Sequence, residues 1–183
     1  MSPTANMVLI TDRLTLRPFV PADAPALHAL VNNRKVARML LRVPHPYPQG
    51  LAETWIDGHE KARRTGAGHI FAIDLGGVLI GTVSLERRDE IYTLGYWIGE
   101  PWWGQGLASE AVKRVVDFAF ETLGEARISA SCFADNKASA RILEKCGFVT
   151  TRTGSLECAA RGHAVPAAFL QLDRTTAAVD ARP

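Results

Sequence analysis

Apolar and polar positions change their period along the chain, and each change marks an element. Val8 to Leu16 alternates through Asp12-Arg13, which predicts a strand ended by Pro18. Helical spacing takes over at Ala24, Leu27, His28, Leu30 and Val31 behind Pro21 and Asp23, with a second short helix over Arg34 to Leu40. Pro44-His45-Pro46-Tyr47-Pro48 stops helix formation, because each proline also restricts the residue before it. Helical spacing resumes over Leu51, Trp55, Ile56, His59 and Ala62 and ends at Gly66-Ala67-Gly68.

The period then shortens. Ile70 to Ile73 and Val78 to Leu85 flank Gly76-Gly77 as a hairpin, and Thr93 to Ile98 is a further strand. Ala108, Ala111, Val112, Val115, Val116, Ala119, Phe120 and Leu123 form the stripe of one long helix, with Gly124 placed as its cap. Arg127 to Phe133 alternates as a strand, Asn136 caps a helix over Ser139, Ile142, Leu143 and Cys146, and Gly147 ends it. Phe148-Val149 begins another strand and Val165 to Leu172 supplies the last. This order predicts an α+β fold of mixed α/β layers, helices packed on a central sheet, as one domain over residues 1–174 with 175–183 as a flexible tail.

Composition adds mainly exclusions. A chain of 183 residues with 21 Lys+Arg, 19 Asp+Glu and 47% apolar residues has room for one core, carries +2 net charge and gives no support to nucleic-acid binding. Cys132, Cys146 and Cys158 are far apart and the five histidines form no paired-ligand spacing, so free thiols and no metal are expected. Met1 to Asn6 has no basic leader and no apolar run is long enough to span a membrane, so the expected location is the cytoplasm.

The most informative stretch is Trp97 to Ala111, where a strand enters a Gly-rich turn that opens into a helix. Gly104 and Gly106 allow close approach of an anion, and the free amides of the helix start, reinforced by its dipole, supply donors. An ordinary Gly-rich turn is the competing reading. The spelling lacks GxxxxGK[ST], and a dinucleotide fingerprint would want Gly or Ala at Ser109 and an acid nearer than Asp135.

Three blocks together resemble the GNAT superfamily of N-acetyltransferases, in its RimJ/RimL-like branch. They are Thr11-Asp12-Arg13-Leu14-Thr15-Leu16-Arg17-Pro18; Gly95-Tyr96-Trp97-Ile98 with Trp103-Gly104-Gln105-Gly106-Leu107-Ala108-Ser109-Glu110-Ala111; and Asn136-Lys137-Ala138-Ser139 through Leu143-Glu144-Lys145-Cys146-Gly147-Phe148. The resemblance implies a mostly antiparallel sheet splayed between two parallel strands, helices on both faces, and acetyl-CoA as co-substrate for direct transfer to a primary amine. The acceptor would be a protein N-terminus, an amino acid or another small amine. The alternative is a non-catalytic acyl-CoA sensor or interaction module. A homodimer is the commonest assembly for such a domain.

Carried onto this chain, the resemblance has Tyr96, Trp97 and Ile98 bind pantetheine through their backbone, with an N–H near Ile98 facing the oxyanion. Gly104, Gln105, Gly106, Leu107, Ala108 and Ser109 hold the pyrophosphate, and Asn136 and Ser139 line the other wall. Ser139 is the candidate acid for the departing thiolate, because the family's tyrosine position is Leu143 here; the competing role for Ser139 is a backbone or cofactor contact without proton transfer. The branch's glutamate position is Thr93, which leaves Glu86 or water as the base. An α-amine, with a pKa of about 7.7–8.0, needs less help than a lysine amine at about 10.4, which favours an α-amine acceptor. Trp103 is expected to pack beneath the turn, Lys113, Arg114, Arg141 or Lys145 to meet phosphates, and Tyr47 and Trp55 to offer an acceptor wall, with core packing the competing role of Trp55.

Overall fold

The computed structural model describes residues 7–174; the expectations for Met1 to Asn6 and for the tail lie outside the described residues. Eight strands form one sheet in the order β1-β2-β3-β4-β5-β6-β8-β7. They are β1 (Leu9–Ile10), β2 (Thr15–Arg17), β3 (Gly68–Leu75), β4 (Val78–Arg88), β5 (Ile91–Ile98), β6 (Arg127–Phe133), β7 (Val149–Cys158) and β8 (His163–Asp173). Every neighbouring pair is antiparallel except β5 with β6. A mostly antiparallel sheet is not a doubly wound dinucleotide fold, which disposes of that alternative together with its acid, Asp135.

Strand alternation sends side chains into two layers. Phe71 and Ile73 of β3 pack with Val112, Val115 and Phe118 from α4 (Leu107–Asp117) and its extension, and with Leu143 of α5 (Lys137–Lys145). Ile70 and Ala72 face the other way, onto Leu27 and Val31 of α1 (Ala24–Val31) and Ala52 and Ile56 of α3 (Leu51–Thr65). A short α2 (Arg34–Ala37) leads into the loop over this second layer. Helices thus cover both faces. Arg17 ties the second layer to the sheet, reaching Asp74 of β3 at 3.0 Å and Asp23 at the foot of α1 at 2.8 Å.

Local differences from expectation have local causes. The predicted first strand is a hairpin, β1 against β2, because Thr11 N–H donates to Leu14 O at 3.0 Å and turns the chain at Asp12-Arg13. The helix expected to reach Leu40 ends at Ala37. The long helix keeps α geometry only to Asp117; over Phe118–Thr122 it widens to a π turn, with Leu123 N–H reaching Phe118 O at 3.1 Å, before left-handed Gly124. β7 runs ten residues rather than being merely begun at Phe148-Val149, held by pairing with β8 although most of its side chains are exposed.

Candidate active site

Parallel pairing of β5 with β6 covers only Tyr92↔Ile128, Thr93↔Ser129 and Leu94↔Ala130. Beyond it β5 follows β4 to Ile98 while β6 follows β8 to Phe133, and a gap opens in the sheet. Gly99 N–H donates to Ile80 O at 2.8 Å, so ladder alternation turns the peptide groups of Tyr96 and Ile98 away from β4 and into the gap. Those of Trp97, opposite Thr82, belong to the β4–β5 ladder. A cleft of about 1150 Å³ passes through the gap, lined among others by Tyr96 to Ile98, Gly104 to Ser109, Asn136, Ser139 and Glu86.

At one mouth of the cleft Gly104 and Gly106 have φ of 75° and 76°, a region costly for L side chains, and α4 starts without a side-chain cap. Glu110 N–H closes the first turn onto Gly106 O, which leaves the amides of Leu107, Ala108 and Ser109 ahead of any intrahelical partner. Sequence reading missed what holds this turn. Arg13, from the β1–β2 hairpin, donates to Gln105 O at 3.0 Å and to Glu110 at 2.7 Å, while Thr11 donates to the same carboxylate at 2.6 Å. Burial alone would raise the Glu110 carboxyl; the bonds from Thr11 and Arg13 outweigh it and hold it below the usual range. The signal was present, since Thr11, Arg13 and Glu110 lie in the motif blocks, but their contact spans 97 positions or more.

Trp103 does not pack beneath the turn. It is 46% exposed and its indole N–H donates to Ile98 O at 2.6 Å, closing the one carbonyl of that residue aimed at the gap. Arg141 and Lys145 line the cleft; Lys113 and Arg114 do not.

The opposite wall carries two hydroxyls. Asn136 caps α5 by accepting from Ser139 N–H at 3.1 Å, which leaves the Ser139 hydroxyl free to pair with the Tyr96 hydroxyl at 2.8 Å. Tyr96 also donates to Ser139 O at 3.2 Å, and burial raises the phenol well above its ordinary value, so it stays protonated. Leu143 is fully buried in the core. The role of the Tyr96 side chain was not legible, because only the fold brings position 96 beside 139. Burial also raises the thiols of Cys132 and Cys146, and all three cysteines are free. Among the described residues no histidine lines the cleft and no group of metal-ligating side chains occurs.

On the face toward α1–α3 the same cleft continues as a chamber over the sheet. Alternation places Glu86 of β4, Thr93 of β5, Ser129 of β6 and Phe169 of β8 on this face. Glu86 accepts from Arg42 at 2.6 Å, and the Thr93 hydroxyl meets that of Ser129 at 2.9 Å. Leu40 and Leu41 roof the chamber, and the tip of the β7–β8 hairpin fastens the roof. Ala159 N–H donates to Leu41 O at 2.9 Å and Arg161 to Arg38 O at 2.8 Å, while Asp135 pairs with Arg161 at 2.8 Å. Tyr47 and Trp55 are not part of this chamber; both pack in the α1–α3 core, Trp55 edge-on to Phe19.

A gapped parallel pair, a glycine turn and a bare helix start thus meet around one cleft, and similarity gives the class of protein that carries them. Residues 13–149 match the acetyltransferase (GNAT) domain family, and the chain belongs to it. It is 35% identical over 146 residues to YoaA of Bacillus subtilis, an uncharacterized N-acetyltransferase, covering 77% of this chain and 82% of that one. The fold is shared with the ribosomal-protein-S5-alanine acetyltransferase of Vibrio fischeri, at TM-score 0.80 and 19% identity over 97% of this chain and 100% of that one. It is shared too with RimL, a ribosomal L7/L12 α-N-protein acetyltransferase in complex with coenzyme A, at TM-score 0.78 and 20% identity over 91% and 98%. The reaction class is acetyl-CoA-dependent N-acetyl transfer.

Proposed function

We propose that this chain moves an acetyl group directly onto a primary amine, with Ser139, held by the Tyr96 hydroxyl, as its acid. The observation that carries the reading is the gap beyond Leu94↔Ala130, which places free peptide groups, bare helix amides and this hydroxyl pair around one cleft. These donors suit acetyl-CoA: amides of Leu107 to Ser109 for the pyrophosphate, the Tyr96 and Ile98 edge for the amide-bearing arm, and a hydroxyl for sulfur. Bound there, acetyl-CoA supplies an activated carbonyl and a thiol leaving group with a pKa of about 8–9.

The chain's own groups divide the remaining work. Ile98 N–H faces the gap as a fixed donor for charge developing on oxygen, the kind of preorganised dipole that contributes most to acyl transfer. Ser139 gives its proton toward the sulfur as the C–S bond breaks and regains one from water in the open cleft, while the Tyr96 hydroxyl, kept protonated by burial, holds the serine in place. Glu86 uses Oε2 for Arg42 and takes the amine's proton on Oε1 through water. An acyl-enzyme has no support, since the cleft cysteine, Cys132, is a thiol raised by burial without a histidine beside it.

The reading extends to a cytoplasmic enzyme, in keeping with its free thiols, and to assembly as a homodimer. No helix among the described residues is long and apolar enough to cross a membrane. The test is acetyl-CoA binding by calorimetry, then thiol release across peptide N-termini, amino acids, polyamines and aminoglycosides. Ser139→Ala is expected to lower kcat about 10²-fold with binding retained. Binding without turnover on any amine would mark a sensor instead.

A further inference from the structure

We infer that the acceptor is an amine bearing a carboxylate, and that Arg152 is the residue that reads it; this rests on the transferase reading above. The acceptor chamber is lined by Arg42, Arg88 and Arg152 against two carboxylates, Glu86 and Asp135, and Asp135 is held by Arg161. Arg42 and Glu86 pair with each other at 2.6 Å. Among the described residues Arg88 and Arg152 make no ion pair and no hydrogen bond, so the chamber holds two uncompensated guanidinium charges. A guanidinium stays charged at any working pH. Such a field repels polyamines and aminoglycosides and draws in an acceptor that carries negative charge.

Arg152 is also built for the task. The β7–β8 register slips between Thr150 and Arg152, a bulge that re-aims the side chain. Its guanidinium then lies over the Phe169 ring, Cζ 3.4 Å from the ring centroid. Phe169 is on β8, so the stack carries the charge one strand inward, from the sheet edge toward the β5–β6 gap. Gly154 leaves room for the stack, because a Cβ there would come within 3.2 Å of the ring and 3.4 Å of Arg152 Nη1. A guanidinium set over a ring keeps N–H groups available at its edge, which suits two parallel bonds to a carboxylate. The amine of the same acceptor would sit toward Glu86 and Thr93 at the gap. A free α-carboxylate and an acidic side chain near a peptide N-terminus share this chemistry.

The experiment compares kcat/KM for L-amino acids, their α-amides, and tripeptides with aspartate or alanine at the second position, with acetyl-CoA affinity measured in the same preparation. Acids are expected to exceed their amides, or aspartyl peptides their alanyl partners, by about tenfold or more. The first outcome names free amino acids, the second acidic N-termini. Arg152→Gln should erase the preference through KM rather than kcat, and Arg152→Lys should restore part of it, a split that loss of structure would not give. If amides, neutral peptides or polyamines turn over as well as acids, the inference is wrong and the transferase reading stands. If acetyl-CoA does not bind, both fall together.

Discussion

The proposed cofactor wall and the proposed acceptor chamber share one gap in the sheet but are built by different rules. The cofactor wall is mostly backbone: left-handed Gly104 and Gly106, the bare amides at the start of α4 and the unpaired edge of β5. Its parts lie close in sequence, and Arg13 and Glu110 only brace them. The acceptor chamber is made of side chains from β4, β5, β6, β7, β8 and the loop after α2, held by contacts such as Arg161 to Arg38, 123 positions apart. Backbone sites tolerate side-chain change around them but not changes of conformation, whereas the chamber can be retuned residue by residue.

The largest effect separating the two should come from Gly106→Val. A Cβ at Gly106 meets nothing nearer than Arg13 Nη2 at 3.5 Å, so the penalty lies in the φ of 76° and not in a clash. A β-branched residue there costs on the order of 1–2 kcal/mol or forces the turn to re-form. Calorimetry should show acetyl-CoA affinity falling about tenfold or more, with acceptor KM at saturating acetyl-CoA little changed. An unaltered affinity would mean that the wall does not depend on this backbone.

That division also explains what could be read in advance. Helix stripes, the Gly76-Gly77 hairpin, the Asn136 cap and the Gly104-to-Ser109 turn are local and were legible from period and spelling. The β1–β2 turn was not, because a threonine hydroxyl at Thr11 bonding Leu14 leaves no break in the alternation. Nor was the long β7, whose polar run is held by its partner strand and not by burial. In the site, positions followed from motifs while side-chain partners did not: Tyr96 reaching Ser139, Arg42 reaching Glu86 and Arg152 lying on Phe169 all join residues that are distant or shifted by a bulge.

A smaller effect should appear on the other side of the comparison with Arg161→Gln. The substitution removes the ion pair to Asp135 and the bond to Arg38 O, and so loosens the roof while leaving Ala159 N–H to Leu41 O as its tie to the hairpin tip. Ordering that loop then falls to the acceptor, a cost in binding. Acceptor KM should rise by roughly fivefold while acetyl-CoA affinity stays within about twofold. Equal shifts in both would show that the roof and the cofactor wall move as one body, and the distinction between them would fail.

The smallest effect concerns acid. His59, in the α1–α3 layer beneath the chamber, is 5% exposed with no partner for either ring nitrogen, and burial, then the charge of Arg63, lowers it from 6.5 to about 4. His69, against Phe118 in the other layer, is lowered to about 4 by the same two causes in the same order. As pH falls through this window the unfolded chain binds protons that the folded chain refuses, so stability declines from pH 6.5 and levels off near about 4. Glu110 acts in a different window. Its depressed carboxyl stabilises the fold above the ordinary value of 4.5, and that contribution is lost only as pH drops below it. Acid should therefore weaken the histidine-bearing cores before it touches the Arg13–Glu110 brace. Thermal melts should show Tm falling between pH 6.5 and 4, and His59→Leu should remove about half of that slope while leaving the loss below 4.5 intact. A variant slope equal to that of the unmodified protein would mean that His59 is protonated in the folded state, and that the polar groups beneath the chamber are hydrated.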